Sequence, residues 1–199
     1  ACLNGHKDVV KLLLNHPDKT IELNARSING TTGFIVACRK RHKDVVQLLL
    51  THPDKTIDLN ARYDNGMTAF MLACDNGHKD VVKLLLSQNN YIGFNYVDFD
   101  RKTAFLYACM NGHIEVVKHI LHASMTKRIF LGSDQRKRGL KMACQNGHTK
   151  IVTLLKRHEK SLMTKESHLC DKKFTRKSSK KVAEDCVISA NRRSKRQKR

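Results

Sequence analysis

Five cysteines, Cys2, Cys38, Cys74, Cys109 and Cys144, each stand four residues before a histidine: His6, His42, His78, His113 and His148. Successive cysteines are 36, 36, 35 and 35 residues apart. A fixed period of this length restricts the chain to stacked copies of one small unit, because a single unit cannot bury its apolar side alone. Stacks of this kind act mainly by presenting an extended surface to a partner, so catalysis is the lesser expectation.

Each copy contains two short apolar segments joined by a tight turn. In the second segment, Lys79 to Leu86, Val81, Val82, Leu84, Leu85 and Leu86 recur at i, i+3 and i+4, which gives a wide apolar stripe on a helix. Its first turn carries an acid (Asp8, Asp44, Asp80 or Glu115 in successive copies) that complements the positive helix N-terminus. The first segment, Thr68 to Cys74 in the same copy, is shorter and leads to Asn76-Gly77, where glycine accepts the left-handed backbone that reverses the chain. Asn29-Gly30 and Asn65-Gly66 signal tight hairpin turns between copies. The unit reads as helix, turn, helix and projecting finger, and the fold class as an all-α repeat solenoid.

These residues resemble the ankyrin repeat family, whose signature runs from a finger glycine through Thr-Pro-Leu-His, an Ala pair and Gly-His to a Val-Val and Leu-Leu-Leu helix. The resemblance covers residues 1–158 in five copies, of which the middle three are complete. It implies an array of about four and a half units over 1–158 with a truncated first unit; residues 159–199 lose the repeat, and their basic runs resist burial, so they read as a basic, mostly disordered tail. Opening as it does at the end of a first helix, the chain reads as a fragment of a longer array. The family's period is about 33 residues. The surplus here falls in His16-Pro17-Asp18-Lys19-Thr20 and His52-Pro53-Asp54-Lys55-Thr56, after the second helix.

The departures from the signature are informative. Thr-Pro-Leu-His is replaced by Thr32-Gly33-Phe34-Ile35, Thr68-Ala69-Phe70-Met71, Thr103-Ala104-Phe105-Leu106 and Arg138-Gly139-Leu140-Lys141, so the family's histidine bonds do not carry over to these positions. Arg41 replaces a turn glycine, and Arg101 and Arg136 replace finger glycines. Each then forces a residue with a Cβ toward the left-handed region at about 1 kcal/mol.

The periodic cysteines fall at the small-residue position between stacked helices, too far apart for disulfides, and are expected to be buried free thiols. Seven cysteines in all, five of them used in this way, suit a reducing compartment, cytoplasmic or nuclear. Cys109, His113, His119 and His122 offer a metal reading, since His119 and His122 share a helical face. The same Cys and His recur in copies without the extra histidines, so structural repetition is preferred, with no metal and no cofactor. No phosphate-cradling glycine loop, nucleophile elbow or isolated acid pair supports an enzyme. No apolar run approaches a membrane span.

The formal charge is +20, and it is unevenly spread. Residues 1–97 hold 12 Lys+Arg against 9 Asp+Glu, residues 98–158 hold 12 against 4, and residues 159–199 hold 14 against 5. Basic residues gather at Arg39-Lys40-Arg41 in a turn, Arg101-Lys102 on the fourth finger and Arg136-Lys137-Arg138 on the fifth, which points to a protein partner with an acidic surface. Against this stands the simpler reading of a charged face that keeps a helical stack soluble. The expected contact residues are Ile28, Asn29, Tyr63, Asp64, Phe99, Asp100, Arg101, Lys102, Arg136, Lys137 and Arg138, on a monomeric scaffold that binds its partner through its fingers and concave face. Phe99 beside Arg101 is the foremost anchor.

The tail carries Arg176, Lys177, Lys180 and Lys181, then Arg192, Arg193, Lys195, Arg196, Lys198 and Arg199. Such runs resemble nuclear import signals and suggest an import receptor. The alternative is a nucleic-acid-associated protein that contacts phosphates through the tail and the C-terminal units. With Phe174 the tail's one aromatic residue, base stacking is not its expected contribution. Ser178, Ser179 and Ser194 lie among the basic residues, where phosphate would cancel charge.

Overall fold

A computed structural model describes residues 1–16, 22–52, 57–88, 92–126 and 129–164. The chain divides into two compact units, Ala1–Thr153 and Leu154–Arg199. The first begins with a short 3-10 turn at Cys2–Asn4 and continues through α1 (Lys7–Leu14), α2 (Gly33–Arg39), α3 (Lys43–Thr51), α4 (Ala69–Asp75), α5 (Lys79–Leu86), α6 (Ala104–Met110), α7 (Ile114–Met125) and α8 (Ser133–Gln145). Helices pair within each repeat as α2 with α3, α4 with α5 and α6 with α7. Between repeats they form two rows, an inner row of α2, α4, α6 and α8 and an outer row of α1, α3, α5 and α7.

Threonine fixes where the inner helices begin. Thr32, Thr68 and Thr103 are N-caps whose hydroxyls accept from the amides of Ile35, Met71 and Leu106 at 3.3, 3.4 and 3.4 Å. All three are buried, so each cap satisfies a donor that water does not reach. The six residues Ala69 to Cys74 of α4, and Ala104 to Cys109 of α6, are buried throughout, which explains why these segments lack helical periodicity in the sequence. The outer helices keep the periodicity: Val81, Val82 and Leu85 are buried while Lys79 and Lys83 are exposed. Phe70 of α4 meets Phe94 edge-on with centroids 5.0 Å apart.

The recurrent histidines join one repeat to the next. Nε2 of His42, His78, His113 and His148 lies 2.9, 2.9, 2.8 and 2.8 Å from the carbonyl oxygens of Leu3, Arg39, Asp75 and Met110 in the preceding repeat. The turn glycine makes room for the ring: a Cβ at Gly77, where φ is 69°, would lie 2.4 Å from His113 Nδ1. The Cys and His period that identifies the repeat therefore also builds its interface. Arg41 holds the same turn at φ 64° and reaches forward to Asp80 at 3.2 Å.

Among the described residues there are no strands, and the fingers are turns, the one at 63–67 flanked by an isolated antiparallel bridge between Arg62 and Thr68. Of the expected insertions at 16–20 and 52–56, all but His16 and His52 lie outside the described residues. The thiols of Cys38, Cys74 and Cys109 are free and buried, whereas Cys2 is half-buried and Cys144 exposed, which corrects the expectation of five buried cysteines. Cys144 ends the inner row at α8, where no later inner helix covers it among the described residues. Residues 149–164 are helical, so 159–164, read from sequence as the start of a disordered tail, continue a helix instead. No Gly or Pro interrupts this stretch, and its Lys, Glu, Leu and Met residues favour helix.

Candidate functional site

Three fingers stand side by side and share one hydrogen-bond pattern. In the first, Gly30 N–H donates to Ser27 O (2.9 Å) and Ser27 N–H to Thr31 O (3.0 Å). The second repeats this from Gly66 to Tyr63 (2.7 Å) and from Tyr63 to Met67 (2.8 Å). In the third, Arg101 donates to Asp98 and Asp98 to Lys102, both at 3.1 Å. Side-chain acceptors tighten the turns: Asn65 Oδ1 takes the Met67 amide at 3.1 Å and Asp98 Oδ1 takes the Lys102 amide at 2.7 Å. Arg101 has φ 57°, so the strain expected at this arginine is present.

The third finger is also tied to the inner helix beneath it. Tyr107 of α6 donates its hydroxyl to the buried Asp98 carboxylate. Burial first, then this bond and the carboxylate charge, push the Tyr107 phenol upward and keep it a donor. Lys102 folds back onto the same finger, 3.1 Å from Asp100 and 5.7 Å above the Tyr107 ring. The Asp100 and Lys102 charges are thus paired with each other, while Arg101 is left exposed.

Neighbouring fingers brace one another. Phe99 N–H donates to Asn65 O at 3.2 Å, and Arg62 Nη1 donates to Val97 O at 2.9 Å. Arg39 lies over Tyr63 at 5.9 Å and Arg62 over Tyr96 at 5.1 Å. A Cβ at Gly66 would meet the Phe99 ring at 2.9 Å, so the ring rests against the preceding turn, yet Phe99 remains 74% exposed. Ile28 is fully exposed at its tip, Asn29 and Asp64 are exposed, and Tyr63 is half-buried beneath Arg39. The structure thereby brings Ile28, Asn29, Tyr63, Asp64, Phe99, Asp100, Arg101 and Lys102 onto one row of turns.

Arg136, Lys137 and Arg138 do not form a fifth finger. They lie in the first half of α8, which begins at Ser133. Arg138 occupies the place of the Thr caps, and without a cap there the helix runs back through the residues that would have formed the turn. Arg136 consequently carries no positive φ and no strain of the kind expected for a finger glycine. Arg138 contacts the third finger instead, donating from Nη2 to Arg101 O at 3.1 Å.

Two further residues at this edge escape a repeat-based reading. Tyr107 stands where earlier copies have Val36 and Leu72, a substitution visible on alignment of the copies but ambiguous until Asp98 is seen beside it. Phe130, 77% exposed before α8, stands where the preceding copy has Asn95. The metal reading divides in the structure. Burial raises the Cys109 thiol to about 12, and His113 is committed to Asp75 O. Among the described residues no group of three His, Cys, Asp or Glu side chains is placed to hold an ion.

Arg176, Lys177, Lys180, Lys181, Arg192, Arg193, Lys195, Arg196, Lys198 and Arg199 lie outside the described residues. No described helix is long and apolar enough to cross a membrane. The family model for ankyrin repeats (3 copies) matches residues 1–62 and 55–131. No curated protein matches the chain.

Proposed function

Since the chain belongs to the ankyrin repeat family, we propose that it is a protein-binding scaffold whose contact edge is the row of three fingers at residues 27–31, 63–67 and 98–102. Ankyrin repeats mark protein-interaction modules and are typically non-catalytic. The carrying observation is the pairing of exposed apolar tips, Ile28 and Phe99, with Arg101, which forms no salt bridge among the described residues, on turns that are already braced. A rigid aromatic and an arginine contribute binding energy at little ordering cost. The exposed cation beside a self-neutralised Asp100 and Lys102 pair favours a carboxylate-bearing partner at this tip. Free thiols at Cys38, Cys74 and Cys109 favour a reducing setting, cytoplasmic or nuclear.

The test is affinity capture by the full chain and by a Phe99→Ala/Arg101→Glu variant, with nuclease present throughout. The reading expects one or more proteins recovered by the wild type and reduced roughly tenfold or more by the variant, with unchanged thermal stability. Recovery that depends on nucleic acid, or that ignores both substitutions, would contradict it.

A further inference from the structure

The opposite side of the array carries a second charged surface. Outer helices α3, α5 and α7 line a groove of about 550 Å³, with Lys43, Lys79, Lys83 and His119 on its walls. Two acids also reach it, Asp80 and Glu115, and each already has a partner: Arg41 at 3.2 Å and Lys118 at 2.7 Å. Lys43, Lys79 and Lys83 form no salt bridge among the described residues. Toward the end of α7 the groove continues into a second hollow of about 280 Å³ that shares Lys83 and His119 and adds His122.

His119 marks this surface as more than a solvated face. Earlier repeats place Leu12, Leu48 and Leu84 at its position, so an imidazole replaces a periodic leucine where the lysines converge. Burial depresses its basicity, Lys83, His122 and Lys79 add to the effect, and Glu115 opposes them. The groove is therefore a place where positive charge is concentrated and negative charge is already answered.

From this arrangement we infer that the outer groove of α3, α5 and α7 binds an acidic peptide segment of a partner protein, separately from the fingers. Helices stack about 8–10 Å apart, and an extended peptide advances about 10 Å in three residues. A carboxylate at every third position thus matches the step from Lys43 on α3 to Lys79 on α5 and on to His119 on α7, with Lys83 one turn along α5 from Lys79. Leu84, also on the groove wall, accepts an apolar side chain. A nucleic-acid backbone fits less well, because the groove has no arginine and no Phe, Tyr or Trp on which bases would stack.

The probe is a short peptide with glutamate at every third position and serine and leucine between, added to the full chain. Carbodiimide coupling of carboxylates to lysines, mapped by mass spectrometry, is combined with NMR of the histidine ring protons; a single-stranded oligonucleotide serves as comparator. The expected result is coupling at Lys79 and Lys83, an upward shift of the His119 titration on peptide binding, and roughly tenfold weaker binding by Lys79→Glu/Lys83→Glu. The finger variant Phe99→Ala/Arg101→Glu keeps full peptide binding. Coupling confined to lysines of residues 165–199 with His119 unmoved would overturn the proposal, as would a His119 response to the oligonucleotide but not to the peptide.

Discussion

The fourth and fifth repeats carry arginine at the same finger position, and only one of them forms a finger. At Arg101 the chain accepts φ 57°, closes the turn onto Asp98 and starts α6 at the Thr103 cap. Thirty-five residues later Ser133 replaces Asp98, Arg138 replaces Thr103, and the segment is helix from Ser133 onward. The decisive difference is thus the threonine cap after the turn, which Arg138 lacks, because Ser27, at the position of Asp98 and Ser133, still forms the first finger and accepts from Thr31 N–H at 3.2 Å. The absence of glycine alone does not remove the finger, since Arg101 takes φ 57° and the turn still closes.

The largest expected contrast lies in the core beneath these two segments. Phe105 is fully buried in α6, whereas its counterpart Leu140 in α8 is half-buried. Phe105→Ala should cost about 3–5 kcal/mol in urea denaturation, and Leu140→Ala about 1 kcal/mol. Equal costs would mean that the fifth repeat is packed as fully as the fourth.

The caps come next. Thr103→Ala should destabilise by about 1–2 kcal/mol through loss of the bond to the Leu106 amide. Arg138→Ala, with no cap to lose, should stay within about 0.5 kcal/mol. Arg101→Gly then sharpens the comparison by sign. Relief of the left-handed arginine should stabilise by about 0.5–1 kcal/mol, whereas Arg136→Gly in a helix should destabilise by about 1 kcal/mol.

The smallest effect is electrostatic. Although partial burial raises the Asp80 carboxyl, the Val81 amide, its own amide and Arg41 outweigh it, so its pKa is below the ordinary 3.8. A carboxyl depressed in the folded state contributes stability above its unfolded value, and this is lost as pH falls through the lower folded value. Arg41→Ala should move the Asp80 titration back up, seen by NMR, and change stability near neutral pH by less than about 1 kcal/mol.

Much of this architecture is legible in the sequence because the repeat samples the same physics several times. The Cys and His period, the Val-Val and Leu-Leu-Leu stripe and the Asn-Gly turns predict α5 at Lys79–Leu86 and the first two fingers. The role of the histidines is not legible, because their acceptors are carbonyl oxygens about a full repeat away, and any sequence has a carbonyl there. The fifth finger misleads because arginine at Arg136 suggests strain at a turn that the missing threonine had already abolished. The outer groove is likewise hidden: Lys43, Lys79 and Lys83 read as ordinary solvated positions until stacking sets them beside His119.

The central claim, that the edge offered to a partner is three fingers long and ends at Lys102, is tested most directly by backbone NMR of the full chain. The account predicts a turn with left-handed φ at Arg101, and helical secondary shifts running unbroken from Ser133 through Arg138. A second left-handed residue at Arg136, flanked by turn rather than helical shifts, would extend the row of fingers beyond Lys102 and contradict it.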